Sequence, residues 1–347
     1  MEKGNIKMKK RILVTMVALM TSIVAIGCSS NTQQQEPKET TSNEKQLEEV
    51  SVVLDWYPNA IHGFMYVADE LGYYEEEGIK LKILFPANPN DGISMPAAGK
   101  ADLGVYYLQD LITARANEGV PVKSIGAIVQ EPLNIFLSLK DKNITKAEDL
   151  MGKTIGYAGT ALSEAIVETT VKSVGGSIDD IKLIDVGFDL MSSMTTGNVD
   201  ATIGCLVNHE VPAMEAEGFE VNYFFPNDYG MPSYYEAVFV AGDKTIDEQS
   251  DKLSRFLKAS KKGFEYMKEN PEKALDILME NQNKENFPLD REVEKQSFDY
   301  LIPIMEKADT PFLIQSKEVW QENADWLLEN GLIKEKFDAS EVIAELE

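Results

Sequence analysis

The chain has 347 residues, with 58 Asp and Glu against 33 Lys and Arg and a formal net charge of −25. That excess of negative charge argues against nucleic acid and anionic lipid headgroups as partners. Two cysteines and two histidines exclude a disulfide framework and a zinc site built on several thiolates.

The N-terminus carries a basic start of Lys3, Lys7, Lys9, Lys10 and Arg11. An apolar run over residues 13–26 follows, too short to span a bilayer comfortably, and Gly27-Cys28 closes it. This resembles a bacterial lipobox, with Ala25 where the pattern has Leu. The resemblance implies a lipoprotein signal peptide over residues 1–27, cleavage ahead of Cys28 and lipid on its sulfur. An ordinary signal peptide with an incidental cysteine is the other reading. Residues 1–27 carry five basic and one acidic residue, so their removal takes the charge from −25 to −29. Residues 28–47 are rich in Ser, Thr, Asn, Gln and Glu, cannot bury a core, and read as a flexible tether. About 300 residues remain, more than one core usually serves, so two lobes are expected.

Residues 50–54 form an apolar run that predicts a buried strand. Pro58 and Asn59 break it. Ile61, Phe64, Met65, Ala68 and Leu71 then mark one face of a helix that Gly72 stops. The 55–62 loop therefore sits at the C-terminal end of a first strand, where open α/β sheets bind ligands. A strand over 80–85 completes a βαβ unit and predicts a parallel sheet. After a loop with Asn88, Asn90 and Asp91, residues 99–105 turn into a third strand, with Tyr106 and Tyr107 at its end. A helix runs through Asn117. Strands are expected over 121–130 and 134–139.

Residues 152–157 open a new βα unit. Gly159 and Thr160 form the turn before a helix over 162–174, whose free N–H groups either receive a ligand oxygen or form a solvated cap. Further strands are expected over 181–186 and 201–206, separated by a helix near 191–196. A strand over 235–240 carries the chain back, and helices follow from Ile246 onward. This pattern assigns residues 48–139 and 236–347 to lobe 1 and residues 140–235 to lobe 2. Crossings near 135–140 and 235–240 make a hinge and a cleft that closes on a ligand.

Trp56, beside Pro and Asn at a strand end, is suited to stack on a flat ring, the alternative being a core tryptophan. Asn59 and His62 share its loop, although a histidine opening a helix equally well satisfies backbone groups. Tyr106 and Tyr157 end strands in different lobes and could sandwich a planar ligand. Asn208, His209 and Glu210 follow an apolar strand, and Glu236 stands at the second crossing. A carboxylate there can accept from an exocyclic amine. Cys205 reads as a small buried hydrophobe. No Walker loop, GxSxG, HExxH or CxxC pattern announces catalysis.

Several stretches together resemble the periplasmic-binding-type proteins for thiamine pyrimidine precursors. They are Leu54-Asp55-Trp56-Tyr57-Pro58-Asn59 with His62, Gly72-Tyr73-Tyr74-Glu75-Glu76-Glu77-Gly78-Ile79 and Asn88-Pro89-Asn90-Asp91. Gly99-Lys100-Ala101-Asp102-Leu103-Gly104, Gln130-Glu131-Pro132 and the run from Asp149 to Tyr157 continue the likeness over residues 50–280. The Asp-Trp and Asn-Pro-Asn-Asp stretches are the specific ones; the Asp149 run also occurs in sulfonate and nitrate binders. The resemblance implies a two-lobe, type II periplasmic-binding-protein α/β fold with mixed, mostly parallel sheets. It implies a monomeric, lipid-anchored, extracytoplasmic solute-binding protein without a cofactor, delivering a hydroxymethyl- or formylaminomethyl-pyrimidine to an ABC permease. Trp56, Tyr106 and Tyr157 would flank the ring. Asn59, Gln130 and Glu210 would read its nitrogens, with Glu236 in reserve and His62, Gly159, Thr160 and Asn208 completing the site. The same superfamily holds fungal synthases that form the pyrimidine from their own histidine and pyridoxal phosphate. Where those enzymes place Lys and His, this chain has Tyr106 and Asp110, and their cysteine cluster is replaced by Met231-Pro232-Ser233-Tyr234-Tyr235. A flavin remains an alternative ligand. An alkanesulfonate or nitrate would want an Arg or Lys, and none stands among the candidate site residues.

Overall fold

The computed structural model describes residues 47–187, 189–285 and 287–346. The expected signal peptide, Cys28 and the tether up to residue 46 lie outside them. In chain order the elements are β1 (Glu48–Val53), α1 (Gly63–Glu70), α2 (Tyr73–Glu76), β2 (Ile79–Leu84), α3 (Asp91–Ala97), β3 (Leu103–Tyr106), α4 (Leu108–Glu118) and β4 (Val122–Val129). Then come β5 (Asn134–Leu139), β6 (Thr154–Tyr157), α5 (Ala161–Ser173), β7 (Lys182–Asp185), α6 (Leu190–Thr195), β8 (Ala201–Leu206), α7 (Glu210–Ala216) and β9 (Val221–Phe224). β10 (Ala237–Gly242) is followed by α8 (Asp243–Glu269), α9 (Pro271–Asn281), α10 (Arg291–Met305) and α11 (Lys317–Glu329).

Two five-stranded sheets share one plan. The first has the order β2-β1-β3-β10-β4 and the second β7-β6-β8-β5-β9. In the first, β1 is parallel to β2 and β3, while β10 runs antiparallel to both β3 and β4. In the second, β6 is parallel to β7 and β8, while β5 runs antiparallel to β8 and β9. The parallel strands lie in βαβ units, as the alternation of apolar runs and helical stripes predicts. The mixed α/β class expected from the sequence is therefore the observed one.

The chain leaves β4 at Val129 and enters the second sheet at Asn134. Its first passage between sheets is thus 130–133, ahead of the expected 135–140. The reason is pairing: residues 134–139 are a central strand bonded on both sides, not a connector. The return passage spans 225–236 and holds a short turn at Pro226–Tyr229.

The core of the first sheet is closed by α8, whose Leu253, Phe256, Leu257, Ser260, Phe264 and Met267 recur at helical spacing and are buried. Phe256 stacks on Tyr74 with ring centroids 5.3 Å apart, and Phe64 meets Phe239 and Phe312 edge-on. The turn before β3 is pinned by Asp102, which accepts from the Ser51 N–H at 2.8 Å, the Ser51 hydroxyl at 2.7 Å and Lys252 Nζ at 2.6 Å. This sets the register that delivers Tyr106 and Tyr107 to the strand ends.

Candidate ligand site at the strand ends

The loop after β1 is organised around a buried polar chain. His62 Nε2 lies 2.8 Å from Asp55 Oδ1, and the Tyr107 hydroxyl donates to Asp55 Oδ2 at 2.9 Å. The Asn59 N–H donates to His62 Nδ1 at 3.3 Å. A ring nitrogen that accepts carries no proton, so His62 is the tautomer that donates from Nε2 to Asp55. Burial alone would push the Asp55 carboxyl up; the hydrogen bonds from His62 and Tyr107 outweigh it and hold the group below the usual carboxylate range. Asn59 caps the Ala60–His62 turn, its Oδ1 accepting from the Ile61 N–H at 2.9 Å. Asn59 and His62 are therefore spent on shaping the loop.

Trp56 is what the loop presents. It is 47% exposed, which removes the reading of a core tryptophan. Its indole meets Phe287 edge-on at 5.3 Å and Tyr57 at 5.9 Å, and Tyr57 stacks on Phe287 at 4.2 Å. Phe287, itself exposed, arrives from the connection between α9 and α10. Sequence reasoning missed it, and its apolar character in a polar loop was the only signal.

The second and third strands add a second wall. Asp91 accepts from the Ala87 and Asn88 N–H groups at 2.8 and 2.9 Å, which folds the Asn-Pro-Asn-Asp loop. Asn90 Oδ1 accepts from the Tyr106 hydroxyl at 3.1 Å. Tyr106 is nearly buried. Burial, then the charges of Asp110 and Asp55, push its phenol far above the ordinary value. Asp110, in the first turn of α4, is pushed up to about 6 by burial.

On the second sheet, the Tyr157 hydroxyl donates to Glu164 Oε1 at 2.5 Å, and that bond raises the phenol. Gly159 has φ +69°, and a Cβ there would lie 2.5 Å from Asp185 Oδ2, so the turn needs glycine. Thr160 caps α5 by accepting from the Ser163 N–H at 3.1 Å. Glu210 Oε2 accepts from the Leu206 N–H at 2.7 Å, and its Oε1 is 3.1 Å from His209 Nδ1. Asn208 is buried, its amide donating to Ser297 Oγ at 2.9 Å.

Two expected site residues are engaged elsewhere. Gln130 is buried and donates to the carbonyls of Ile314 at 2.9 Å and Pro311 at 3.5 Å. Glu236 ties the two passages together: its N–H donates to the Val129 carbonyl at 3.1 Å, and its Oε2 accepts from the Leu133 N–H at 2.7 Å. Burial pushes the Glu236 carboxyl up to about 7, against hydrogen bonds from Leu133, Tyr234 and Asn134.

The structure thus joins Asn59 and His62 to Asp55 and Tyr107 in one hydrogen-bonded chain, with Trp56 in the same loop and the Tyr106 ring 5.0 Å from that of Tyr107. On the other side, Asn208 is tied to α10 through Ser297, while Glu210 bonds within its own loop, to the Leu206 N–H and His209. Two open surface hollows lie away from all of these. One of about 180 Å³ is lined by Ser51, Asp102 and Lys244; one of about 420 Å³ lies between Gln321 and Phe337. Neither is lined by a residue of the strand-end loops that the sequence singles out. Among the described residues no group of three or more His, Cys, Asp or Glu could hold a metal ion, and no helix is long and apolar enough to cross a membrane.

Comparison with known proteins bears on the whole arrangement. Residues 59–274 match the family described as NMT1/THI5 like. The chain is 40% identical over 312 residues to the formylaminopyrimidine-binding protein of Halalkalibacterium halodurans, covering 90% of this chain and 92% of that one. It is 28% identical over 295 residues to the 4-amino-5-hydroxymethyl-2-methylpyrimidine phosphate synthase of Legionella pneumophila, covering 84% and 90%. Its fold is that of the periplasmic aliphatic sulphonate binding protein SsuA from Escherichia coli, with a TM-score of 0.68 at 18% identity over 86% of this chain and 93% of the other. The two-lobe periplasmic-binding fold expected from the sequence is the fold of this chain. With the family's match spanning well over half of its residues and a 40%-identical relative covered almost end to end, the chain belongs to the NMT1/THI5-like family.

Proposed function

We propose that the protein is an extracytoplasmic, lipid-anchored solute-binding protein that captures a thiamine pyrimidine precursor and hands it to an ABC permease. The observation that carries this reading is the half-exposed Trp56, held at the strand ends by a buried hydrogen-bonded loop, in a chain 40% identical to a formylaminopyrimidine-binding protein. A flat ring needs a fixed aromatic face, and a fixed face loses little freedom on binding. Tyr106, Tyr157, the Gly159–Thr160 turn and the 208–210 loop complete the wall that surrounds the ring. Trp56, Asn59 and His62 act as one loop, and Glu236 and Gln130 act on the passages between the sheets. Closure of the two sheets' loops on the ligand gives the permease a form to recognise.

A synthase reading draws on the Legionella relative. Tyr106 stands where the resemblance puts the lysine that carries the cofactor, and a phenol cannot form an imine with an aldehyde. The Tyr106 hydroxyl is moreover committed to Asn90.

A thermal-shift series on the purified protein tests the ligand. A formylaminomethyl- or hydroxymethyl-pyrimidine at 100 times its dissociation constant should stabilise the fold by about 2.7 kcal/mol. Trp56→Ala should weaken that binding by about tenfold or more, with Glu210→Gln weakening it as well. A shift with taurine, nitrate or riboflavin and none with the pyrimidines refutes the assignment.

Anchoring is tested separately. The full chain expressed with a labelled fatty acid should carry the label, and Cys28→Ser should not. An unlabelled full chain, or a labelled Cys28→Ser, would refute a lipid on Cys28.

A further inference from the structure

We propose that Glu294 is a positioning residue that couples the 55–62 loop of the first sheet to the 208–210 loop of the second, one carboxylate oxygen serving each. The inference rests on the solute-binding reading above and names the residue that links ligand capture to closure.

α10 is the element that touches both sides. Glu294 is 1% exposed. Its Oε2 accepts from the Ala60 N–H at 2.8 Å, inside the turn that follows Trp56. Its Oε1 has no hydrogen-bond partner among the described residues and faces His209 Nε2 at 4.0 Å. One turn further along the same face, Ser297 takes the Asn208 amide at 2.9 Å. A single helical turn therefore grips the ligand loop with one residue and the opposite loop with two.

A buried carboxylate oxygen without a donor is costly unless a nearby charge compensates it. His209 is the group in position to do so. It faces Glu210 within its own loop and Glu294 on α10. Burial pushes the Glu294 carboxyl up, with Asp290 adding to it, against the charges of His209 and His62 and the Ala60 N–H. Burial pulls the His209 imidazole down, and the Glu210 hydrogen bond with the charges of Glu210 and Glu294 outweighs it, leaving His209 above its ordinary value. When the two loops separate, Glu294 keeps the Ala60 N–H on its own side and loses His209. The protonated imidazole therefore favours the approximated loops. Ligand affinity should be highest where His209 is protonated and should fall as pH rises through its value in the closed form.

The chain has two histidines, so an NMR titration resolves both, and His209→Gln assigns them by loss of one signal. In the wild type, His209 should titrate above the ordinary histidine value, and in Glu294→Gln it should fall toward it. The glutamine still accepts from the Ala60 N–H, which keeps the turn intact. In parallel, the dissociation constant of a formylaminomethyl-pyrimidine should rise about two- to fivefold between pH 5.5 and 8.5 in the wild type, the equilibrium worth of a partly exposed ion pair. It should stay flat in Glu294→Gln and in His209→Gln, the latter acting from the half-exposed side of the seam. An unchanged His209 titration in Glu294→Gln, or the same pH slope in the wild type and both variants, overturns the proposal. If no aminopyrimidine binds at any pH, the ligand assignment falls, and the histidine titration still decides the coupling.

Discussion

Gly104→Ala should destabilise the fold by about 3 kcal/mol or more, at the severe end of overpacking. A Cβ on Gly104 would sit 2.0 Å from the Gly92 carbonyl oxygen, 2.8 Å from its carbon and 3.0 Å from its Cα. All three are backbone atoms, so no side chain can swing aside. The converse holds as well: a Cβ on Gly92 would lie 2.4 Å from the Val105 carbonyl oxygen. The first turns of α3 and strand β3 touch backbone to backbone, and two glycines make that approach possible. Forcing them apart moves Asp91 and Asn90, and with them the loop that receives the Tyr106 hydroxyl. Urea melts of the wild type and Gly104→Ala give the measurement. Gly99→Ala is the control: its φ of +65° costs some strain, but nothing lies within 4 Å of the added carbon. A Gly104→Ala midpoint no lower than the Gly99→Ala one contradicts the account.

Glu236→Gln should remove a pH dependence from stability. The carboxyl's folded value of about 7 stands above its ordinary 4.5, so the folded state binds this proton more tightly than the unfolded chain. Its contribution is then fully present below pH 4.5 and is lost as pH rises through about 7. A shift of that size corresponds to about 3 kcal/mol between the two limits. Asp110, pushed up to about 6, adds to the slope in the same direction, so the variant flattens the profile without abolishing it. A glutamine keeps an acceptor for the Leu133 N–H and cannot ionise. Melts of both proteins at pH 5, 6, 7 and 8 should coincide at the acid end and diverge toward pH 8, where the variant is the more stable. Parallel profiles would show that Glu236 ionises freely in the folded state.

The fold was legible because its signals are local. An apolar run, a Pro-Asn break and a 3.6-residue stripe place β1, the 55–62 loop and α1 within a few residues of each other. The same grammar repeats at β6 and α5. Trp56 was legible for the same reason, since its loop announces itself at a strand end. Phe287, Glu294 and Ser297 were not, because they reach the strand-end loops from the α9–α10 connection and from α10, more than two hundred residues beyond Trp56, and nothing beside Glu294 and Ser297 distinguishes them from ordinary helical positions. Gln130 and Glu236 were chosen for standing at the passages, which is where they are. What the sequence could not show is that backbone groups take their polar atoms, Ile314 and Pro311 in one case and Leu133 in the other. The earlier passage at 130–133 has a similar cause. The strand over 134–139 was legible, but the sheet it joins was not, because both of its neighbours, β8 and β9, come later in the chain.

The place of β10 governs the order in which the chain can fold. β4 pairs within its sheet only with β10, and β10 also supplies the second edge of β3. Val238 stands opposite Tyr106, so this pairing must close a loop that contains every strand of the second sheet. Closing so long a loop is slow compared with the local pairings of β6, β7 and β8. Until residue 242 has been delivered, β4 has no partner strand and β3 only one. The second sheet, contiguous from Asn134 to Phe224, has all of its strands by then. The ligand loop and its aromatic face belong to the half that is completed last.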